Sequence, residues 1–276
     1  MHWLTTRFTI DLSQPRVMGI VNVTPDSFSD GGLHASAALA LAHCERLLAE
    51  GAHLLDIGAE STRPGSLAVP LEEELARVLP VVEGALKLGC PVSVDTRKPE
   101  VMRAVLALGA DIVNDINALQ APGALDVVAA HGTCGVCLMH MHGSPESMQA
   151  RPAYADVVDG VGAFLRERCD ALVARGVAAD RIVCDPGIGF GKRPEHNIAL
   201  LRRQRELLAL GRPLLIGWSR KSTLGVITGR DVSRRLAASV AAALVAVQHG
   251  ASIVRVHDVA ETVDALKVWS VGGLPG

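Results

Sequence analysis

The sequence predicts an α/β fold, a (β/α)8 TIM barrel with a short N-terminal β-hairpin, from three observations. Eight short apolar, β-branched runs each stop at a polar or charged residue, helical stretches separate the runs, and the runs recur about every 34 residues. A unit of that length has room for a strand, a loop, a helix and a return. About 250 residues is ordinary for such a barrel, and the chain has 276. The eight runs are 17–22, 54–58, 92–95, 112–115, 136–140, 182–185, 214–221 and 253–257.

The stretches between the strands have helical periodicity. In 154–176, apolar residues recur every three or four positions, which predicts one face packed against a sheet. Strands that are apolar on both faces and alternate with such helices are parallel and covered. An open doubly wound sheet is the alternative, but the sequence lacks its glycine-rich dinucleotide turn after the first strand. The predicted helices are 36–50, 71–88, 99–108, 121–131, 154–176, 194–209, 231–249 and 258–270, with a short one at 222–228.

The first residues predict a small hairpin. Apolar and polar residues alternate in 1–14, and we expect this segment to close the N-terminal end of the barrel. The segment lacks the basic start and long apolar core of a signal peptide. No apolar stretch reaches the roughly 18 residues of a membrane span. We therefore expect one domain over residues 1–276, in the cytoplasm and not in a membrane.

Composition points to a metabolic protein. The net charge is −2 and 49% of residues are hydrophobic, which gives no electrostatic bias toward nucleic acid or an anionic membrane. Six cysteines in apolar contexts predict free thiols in a reducing compartment. Cys134 and Cys137 have CxxC spacing, but no second ligand pair supports zinc. His140 and His142 at the end of the fifth strand could be metal ligands, but they alternate and no acidic partner is close in sequence, so we expect them at the rim.

Four polar residues are predicted to converge at the mouth of the barrel, because TIM barrels place their sites at the C-terminal ends of the strands. Asp95 and Asp185 end the third and sixth strands, Asn114 lies at the end of the fourth, and Lys221 follows the seventh. Each alone would serve equally well to cap or flank the next helix. Together they form a donor and acceptor set suited to a flat heterocycle with ring N–H, amino and carbonyl groups.

A second group has the opposite polarity. Arg63 follows the second strand with Thr62, Arg255 and His257 belong to the eighth, and Asn22 ends the first. Singly, the two arginines are equally consistent with surface ion pairs. On strands that become neighbours when the barrel closes, the group predicts a pocket for phosphate or diphosphate. The carbonyl oxygen of Asn22 is a suitable ligand for Mg²⁺ that keeps most of its waters.

The loops after the first two strands are long and rich in Gly, Ser and Pro. They are 24–34 and 59–70, and each carries an aromatic or a cation near its middle. Such loops are often ordinary surface segments. Because these leave strands of the predicted anion pocket, we expect lids that close over a bound ligand.

Motifs along nearly the whole chain resemble those of the bacterial dihydropteroate synthase family. They run in order from the first strand to the last, and the long ones are far more specific than any short motif. They are GIVNVTPDSFSDGG (19–32), ESTRPG (60–65), SVDTRKPEV (93–101), NDI (114–116), LMHM (138–141), DPGIGFGK (185–192), SRKS (219–222) and RVHDV (255–259).

The resemblance implies a dimeric enzyme that joins 6-hydroxymethyl-7,8-dihydropterin diphosphate to 4-aminobenzoate in folate synthesis, with magnesium. By position, it implies four groups of site residues. These are a pterin pocket of Asp95, Asn114, Asp185 and Lys221; a magnesium ligand, Asn22; diphosphate ligands Thr62, Arg63, Arg255 and His257; and an aminobenzoate pocket of Phe28, Pro64, Phe190 and Ser222. Ser222 begins the predicted helix 222–228, whose free N–H groups favour a carboxylate.

The implied chemistry is ionisation of the diphosphate ahead of attack by the aromatic amine. Asp95 and Asp185 would stabilise the cation left on the pterin, and Lys221 completes the set of catalytic residues. Magnesium, Arg63, Arg255 and His257 would stabilise the leaving charge. No residue needs to form a covalent intermediate.

Two other functions stay open. A corrinoid-linked pterin methyltransferase has a similar pterin pocket but needs no diphosphate site, and Arg63 with Arg255 argues against it. A non-catalytic pterin-binding paralogue would be expected to lose members of the anion group, all of which are present here. One departure from the family pattern is Ala59, where a second glycine is usual; alanine would be strained if the backbone needed positive φ.

The predicted helix 231–249 is apolar almost all round after its first turn. This is more than packing against one side of a barrel requires. We therefore expect a C2 homodimer that buries this helix and its neighbours.

Overall fold

Eight parallel strands form a closed barrel, and an antiparallel pair of strands precedes them, in the computed structural model of the chain. The structure describes residues 1–23, 32–61, 65–143, 148 and 153–272. The strands are β1 (His2–Leu4), β2 (Thr9–Asp11), β3 (Arg16–Asn22), β4 (Leu54–Gly58), β5 (Val92–Asp95), β6 (Ile112–Asp115), β7 (Gly135–Met139), β8 (Ile182–Asp185), β9 (Leu214–Ile216) and β10 (Ala251–Val256). From β3 to β10 each strand pairs with the next, and β10 pairs with β3. The predicted barrel is confirmed.

Helices follow the barrel strands and cover the outside of the sheet. Their buried faces form one apolar layer with the outward side chains of the strands. No helix within the described ranges is long and apolar enough to cross a bilayer. The helices are α1 (Gly32–Ala49), α2 (Leu71–Ala85), α3 (Pro99–Leu108), α4 (Ala124–His131), α5 (Val157–Ala174), α6 (Pro194–Arg202), α7 (Ser222–Thr228), α8 (Leu236–Gln248) and α9 (Val259–Gly272).

Several boundaries differ from the predicted ones for local reasons. Helix α5 begins at Val157 because the Asp156 side chain accepts hydrogen bonds from the backbone N–H groups of Val158 and Asp159. The seventh strand ends at Ile216, and the chain then turns through Arg220, whose φ is 59°. The predicted helix 231–249 divides into a 3₁₀ turn at 232–234 and α8.

The N-terminal hairpin closes the bottom of the barrel, as predicted. Trp3 and Ile10 belong to the apolar cluster that fills the barrel interior. The Trp3 Nε1 donates to the backbone carbonyl of Arg181, which precedes β8, over 2.9 Å. The Arg7 guanidinium pairs with Asp111, which precedes β6, at 2.6 Å. The hairpin is therefore fixed to the N-terminal ends of two barrel strands.

The inside of the barrel is apolar below and polar above. Alternate residues of a strand face the same side, so the sequence numbers of inward residues share parity along each strand. Leu54 lies in the interior cluster, and Asp56 is the next inward residue toward the mouth. The same step leads from Ile253 to Arg255. Other such pairs are Ile112 with Asn114 and Val183 with Asp185.

The cysteines are free and buried, as expected. Cys134 lies in the layer between sheet and helices, whereas Cys137 faces the barrel interior, so the two do not share one site. The expectation for His140 was wrong, because its side chain is buried. It is covered by Tyr154 and Phe164, whose rings lie 6.0 and 4.9 Å from the imidazole.

Candidate active site

Four residues at the ends of neighbouring strands lie side by side at the mouth of the barrel. In the strand register Asn22 is opposite Gly58, Gly58 is opposite Asp95, and Asp95 is opposite Asn114. A Cβ added to Gly58 would lie 3.3 Å from the Cβ of Asp95, so the glycine leaves room between its two neighbours. The C-terminal ends of β3 to β6 therefore form one continuous polar edge.

Asp56 is a residue of this site that the sequence analysis missed. It is fully buried, and its carboxylate accepts hydrogen bonds from Arg255 Nε at 2.6 Å, Asn114 Nδ2 at 3.0 Å and Ser93 Oγ at 2.6 Å. The available signal was an acid inside the apolar run LLDIG, two residues before its end. An ionised carboxylate is buried only when it is paired and hydrogen-bonded, and here both conditions hold.

Arg255 joins the two groups that the sequence analysis kept apart. Besides Asp56, its guanidinium contacts Asp95, with Nη2 at 2.9 Å from Oδ2. Burial raises the pKa of the Asp95 carboxyl to about 7; Arg255 opposes this and the Asp56 charge adds to it. Burial lowers the pKa of Arg255, but the two carboxylates outweigh it and raise that pKa overall. Arg255, which was predicted to bind an anion, thus lies among the carboxylates of the predicted heterocycle pocket.

Asp185 and Lys221 approach this network from β8 and from the turn after β9. Burial raises the pKa of Asp185 to about 6, against the hydrogen bond that its Oδ1 accepts from the Gly187 N–H at 2.7 Å. Burial, helped by Arg255, lowers the pKa of Lys221 to about 8. The Lys221 Nζ lies 4.2 Å from the centre of the Phe190 ring, within the range of a cation–π contact.

His257 is oriented by Ser219, a residue of the SRKS motif. The Ser219 Oγ accepts from the His257 backbone N–H at 3.1 Å and lies 3.0 Å from its Nδ1. With the hydroxyl donating to Nδ1, the imidazole proton sits on Nε2. Burial, followed by the charge of Arg255, lowers the pKa of His257 to about 3. At neutral pH His257 is therefore an uncharged hydrogen-bond donor and not a cation.

The turn after β9 places Ser222, one of the residues predicted to bind aminobenzoate, at the same edge of the barrel. Helix α7 begins at Ser222, as predicted, and Ser222 is exposed. Arg220 pairs with Asp258 at the start of the segment after β10. The turn is thereby held to the end of β10 by two successive residues, Ser219 and Arg220.

Four predicted site residues, Phe28, Thr62, Arg63 and Pro64, lie outside the described residues, as do the centres of both expected lids. The described base of the second loop is held by charge. Glu60 accepts from Lys98 Nζ at 2.7 Å and from Arg97 Nε at 2.8 Å. Ala59 is buried without positive φ, so alanine is not strained there.

Asn22 provides a test of the expected magnesium site. Its side chain is half-buried at the polar edge, and an amide oxygen is a donor of the type that Mg²⁺ prefers. Within the part of the chain that the structure describes, no group of three His, Cys, Asp or Glu side chains is arranged to hold a metal. The residues present fit an ion held by one protein oxygen together with oxygens from substrate and water.

Comparison with known proteins gives one family. The profile of the pterin binding enzyme family matches residues 18–257. A dihydropteroate synthase of Neisseria meningitidis serogroup B is 53% identical over 278 residues, covering 99% of this chain and 98% of that protein.

Two solved structures are similar over nearly their whole length. A dihydropteroate synthase of Xanthomonas albilineans with 4-aminobenzoic acid has a TM-score of 0.90 and 54% identity, covering 97% of this chain and 96% of the other. One from Burkholderia cenocepacia complexed with 7,8-dihydropteroate has a TM-score of 0.90 and 51% identity, covering 98% and 96%.

Proposed function

The chain belongs to the dihydropteroate synthases of the pterin-binding enzyme family, and we propose that the mouth of its barrel is where the transferase reaction takes place. The reaction joins 6-hydroxymethyl-7,8-dihydropterin diphosphate to 4-aminobenzoate and yields 7,8-dihydropteroate and diphosphate, in folate biosynthesis. The observation that carries the location is the network of Asp56, Asp95, Asn114 and Arg255, with Asp185 and Lys221 beside it.

In the proposed pterin pocket, Asp95, Asn114 and Asp185 face the heterocycle and Lys221 donates to a ring acceptor. Carboxylates accept from ring N–H and amino groups, which gives the orientation of the ring. Asp56 holds Asn114 and Arg255 from below, so that the groups above it are fixed before substrate binds. Such preorganised charges stabilise a developing cation most effectively in a site that excludes water.

The reaction breaks the bond between the pterin methylene and a diphosphate oxygen. The electron pair leaves with diphosphate, and a cation delocalised into the pterin ring remains, next to the carboxylates of Asp95 and Asp185. The amine nitrogen of aminobenzoate then forms the new bond to the methylene and releases one of its protons to solvent. Asp95, Asp185 and Lys221 are the catalytic residues in this proposal.

The diphosphate is proposed to lie on the side of the pocket formed by β3, β4 and β10. Among the described residues, Nη1 of Arg255 has no hydrogen-bond partner, and it is available for a phosphate oxygen. His257 donates from Nε2 as a neutral imidazole. Thr62 and Arg63 complete this group by sequence position. Asn22 would hold Mg²⁺ through its amide oxygen, and the ion would neutralise charge on the leaving diphosphate when it is bound.

Aminobenzoate is proposed to lie between Phe190 and the turn that carries Lys221 and Ser222. The Phe190 ring already faces Lys221, so an aromatic substrate finds a flat apolar wall beside a cation. Phe28 and Pro64 are expected from their sequence positions to cover the other side.

A diphosphate-release assay with purified full-length protein tests the function. We expect release that requires both the dihydropterin diphosphate and aminobenzoate, together with formation of dihydropteroate. A corrinoid methyltransferase or a non-catalytic paralogue would release no diphosphate, whether the two substrates are supplied singly or together. An Asp185→Asn variant, assayed in parallel, identifies any release from a contaminating enzyme.

A homodimer is also proposed, and exposed apolar residues around α7 to α9 support it. Packing against the barrel leaves one side of this region uncovered, because α8 buries mainly small residues, among them Ala242, Ala243 and Ala246. The exposed apolar side chains of the region are Val226, Ile227, Val232, Leu236, Val245, Val268 and Val271. An isologous pairing of this surface would remove these side chains from water.

A further inference from the structure

The turn after β8 is pressed closely against the end of β7. A Cβ added to Gly187 would lie 1.9 Å from the carbonyl oxygen of His140, and Gly187 has φ of 68°. The Phe190 N–H donates to the Gly187 carbonyl at 3.1 Å, which closes the turn. Only glycine permits both the approach and the backbone conformation. The position of the Phe190 ring is thus set by the position of this turn.

Lys192 holds the turn from inside the protein. Its side chain is 3% exposed, and its Nζ lies 2.9 Å from the Gly187 carbonyl, 3.0 Å from that of Phe190 and 3.2 Å from that of His140. The fourth neighbour, at 2.9 Å, is Nδ1 of His140. Burial lowers the pKa of His140 to about 3, so this nitrogen accepts a hydrogen bond.

Burying the Lys192 ammonium destabilises the folded protein unless nearby groups replace its lost hydration. Among the described residues no carboxylate forms a direct ion pair with it, and burial lowers the pKa of its ammonium to about 7, against the more distant charge of Asp185. Removing a cation from water without a carboxylate in direct contact costs free energy that carbonyl dipoles offset only when they are well placed. The chain nevertheless directs three carbonyl groups, two of them from one short turn, at a single ammonium.

Asn197 holds the same turn from the other side. It is 1% exposed, in the first turn of α6, and its Oδ1 accepts from the Gly189 N–H at 2.9 Å. Its Nδ2 donates to Thr223 Oγ1 at 2.9 Å. Thr223 follows Ser222 at the start of α7. Asn197 therefore connects the Phe190 turn to the segment that carries Lys221 and Ser222.

We propose that Lys192 and Asn197 are positioning residues that hold the Phe190 turn as a rigid wall of the aminobenzoate site. The inference rests on the proposed placement of aminobenzoate against Phe190. A wall fixed before binding spares the substrate the entropic cost of ordering it. Neither residue touches the substrate; both act through the backbone of residues 187–190.

Steady-state kinetics with each substrate varied in turn tests the proposal. We expect Lys192→Met to raise the KM for aminobenzoate about tenfold, with kcat and the KM for the dihydropterin diphosphate changed less than about threefold. Asn197→Ala should act in the same direction. Lys87→Met, at a lysine whose side chain is 73% exposed, is the matched control and should leave all constants unchanged. Equal rises in both KM values for Lys192→Met would overturn the proposal.

A double-mutant cycle separates this inference from the placement of aminobenzoate. Phe190→Ala alone should raise the KM for aminobenzoate; if it does not, the placement itself is wrong. If it does, adding Lys192→Met should have little further effect, because both changes act through the same ring. Additive effects would mean that Lys192 does not act through Phe190.

A milder variant covers the case in which Lys192→Met does not fold. Thr223→Val keeps the shape of the side chain but removes the acceptor of the Asn197 amide. We expect a smaller rise in the KM for aminobenzoate and an unchanged KM for the dihydropterin diphosphate. Unchanged KM values for both Thr223→Val and Asn197→Ala would overturn the proposal that Asn197 positions the Phe190 turn.

Discussion

Arg255 contacts Asp95 across the mouth of the barrel, with Nη2 2.9 Å from Oδ2, although two strands, β3 and β4, lie between their own strands. The contact passes over Asp56, which accepts from the same guanidinium at 2.6 Å. Pterin-facing and diphosphate-facing residues are therefore parts of one charged network. A change at either residue is expected to affect the binding of both the pterin and the diphosphate.

Asp95→Asn should mainly slow the chemical step. The amide keeps much of the shape of the carboxylate but loses the charge that faces the developing cation. Removing one preorganised electrostatic contact typically lowers kcat by about 10²–10³. Single-turnover measurements at saturating substrates decide the point: a chemical step as fast as that of the unmodified protein, with only binding impaired, would mean that Asp95 merely positions the pterin.

The pH dependence of kcat/KM for the dihydropterin diphosphate should be bell-shaped. The Asp95 carboxylate forms as the pH rises through its pKa of about 7, and the Lys221 ammonium is lost as the pH rises through its pKa of about 8. Activity should rise through the first and fall through the second. Asp95→Asn should abolish the limb near pH 7, and Lys221→Arg should move the alkaline limb upward. Persistence of the first limb in Asp95→Asn would assign it to another group.

Arg255→Ala should weaken both diphosphate capture and the folded state. It leaves Asp56 and Asp95 buried without their cation, and breaking such a buried pair costs about 3–5 kcal/mol of unfolding free energy. In an Asp56→Asn background the cost should be smaller, because one of the two charges is gone. Urea unfolding measures the loss of unfolding free energy in both backgrounds. Arg46→Ala, whose side chain is 66% exposed, is the control and should change little. Equal losses in the two backgrounds would contradict the coupling.

Sulfonamides should compete with aminobenzoate and not with the dihydropterin diphosphate. They share an aryl amine and an acidic group with aminobenzoate, and the proposed pocket of Phe190, Lys221 and Ser222 would accept both. Inhibition measured at several concentrations of each substrate is the test. Inhibition that does not depend on aminobenzoate concentration would contradict this site assignment.

The chain should be a dimer at micromolar concentration by light scattering. Ile227→Glu and Leu236→Glu should shift it toward monomer, because each places a charge on the proposed interface. Leu108→Glu, at a leucine that is 42% exposed on α3, should not. A monomeric unmodified protein would remove the proposal.

Local pattern was sufficient where neighbours in sequence decide the structure. The bounds of α3 and α7 follow the prediction, and so does the hairpin at the N-terminal end. The missed residues lie where contacts are distant: Asp56 reads as one acid within an apolar run, and its importance follows from three donors on three other strands. His140 was misjudged for the same reason, because Lys192 lies 52 positions away.

The sequence by itself determined the barrel, the order of its strands and the polar residues at their C-terminal ends, because strand periodicity and helix patterns are local and parallel strands place those ends at one rim. Only the tertiary structure decided which of these residues contact one another. Closure brings β10 beside β3, and that puts Arg255 between two carboxylates and leaves His257 neutral. Burial and distance set those charges, and neither can be read from the spacing of residues along the chain.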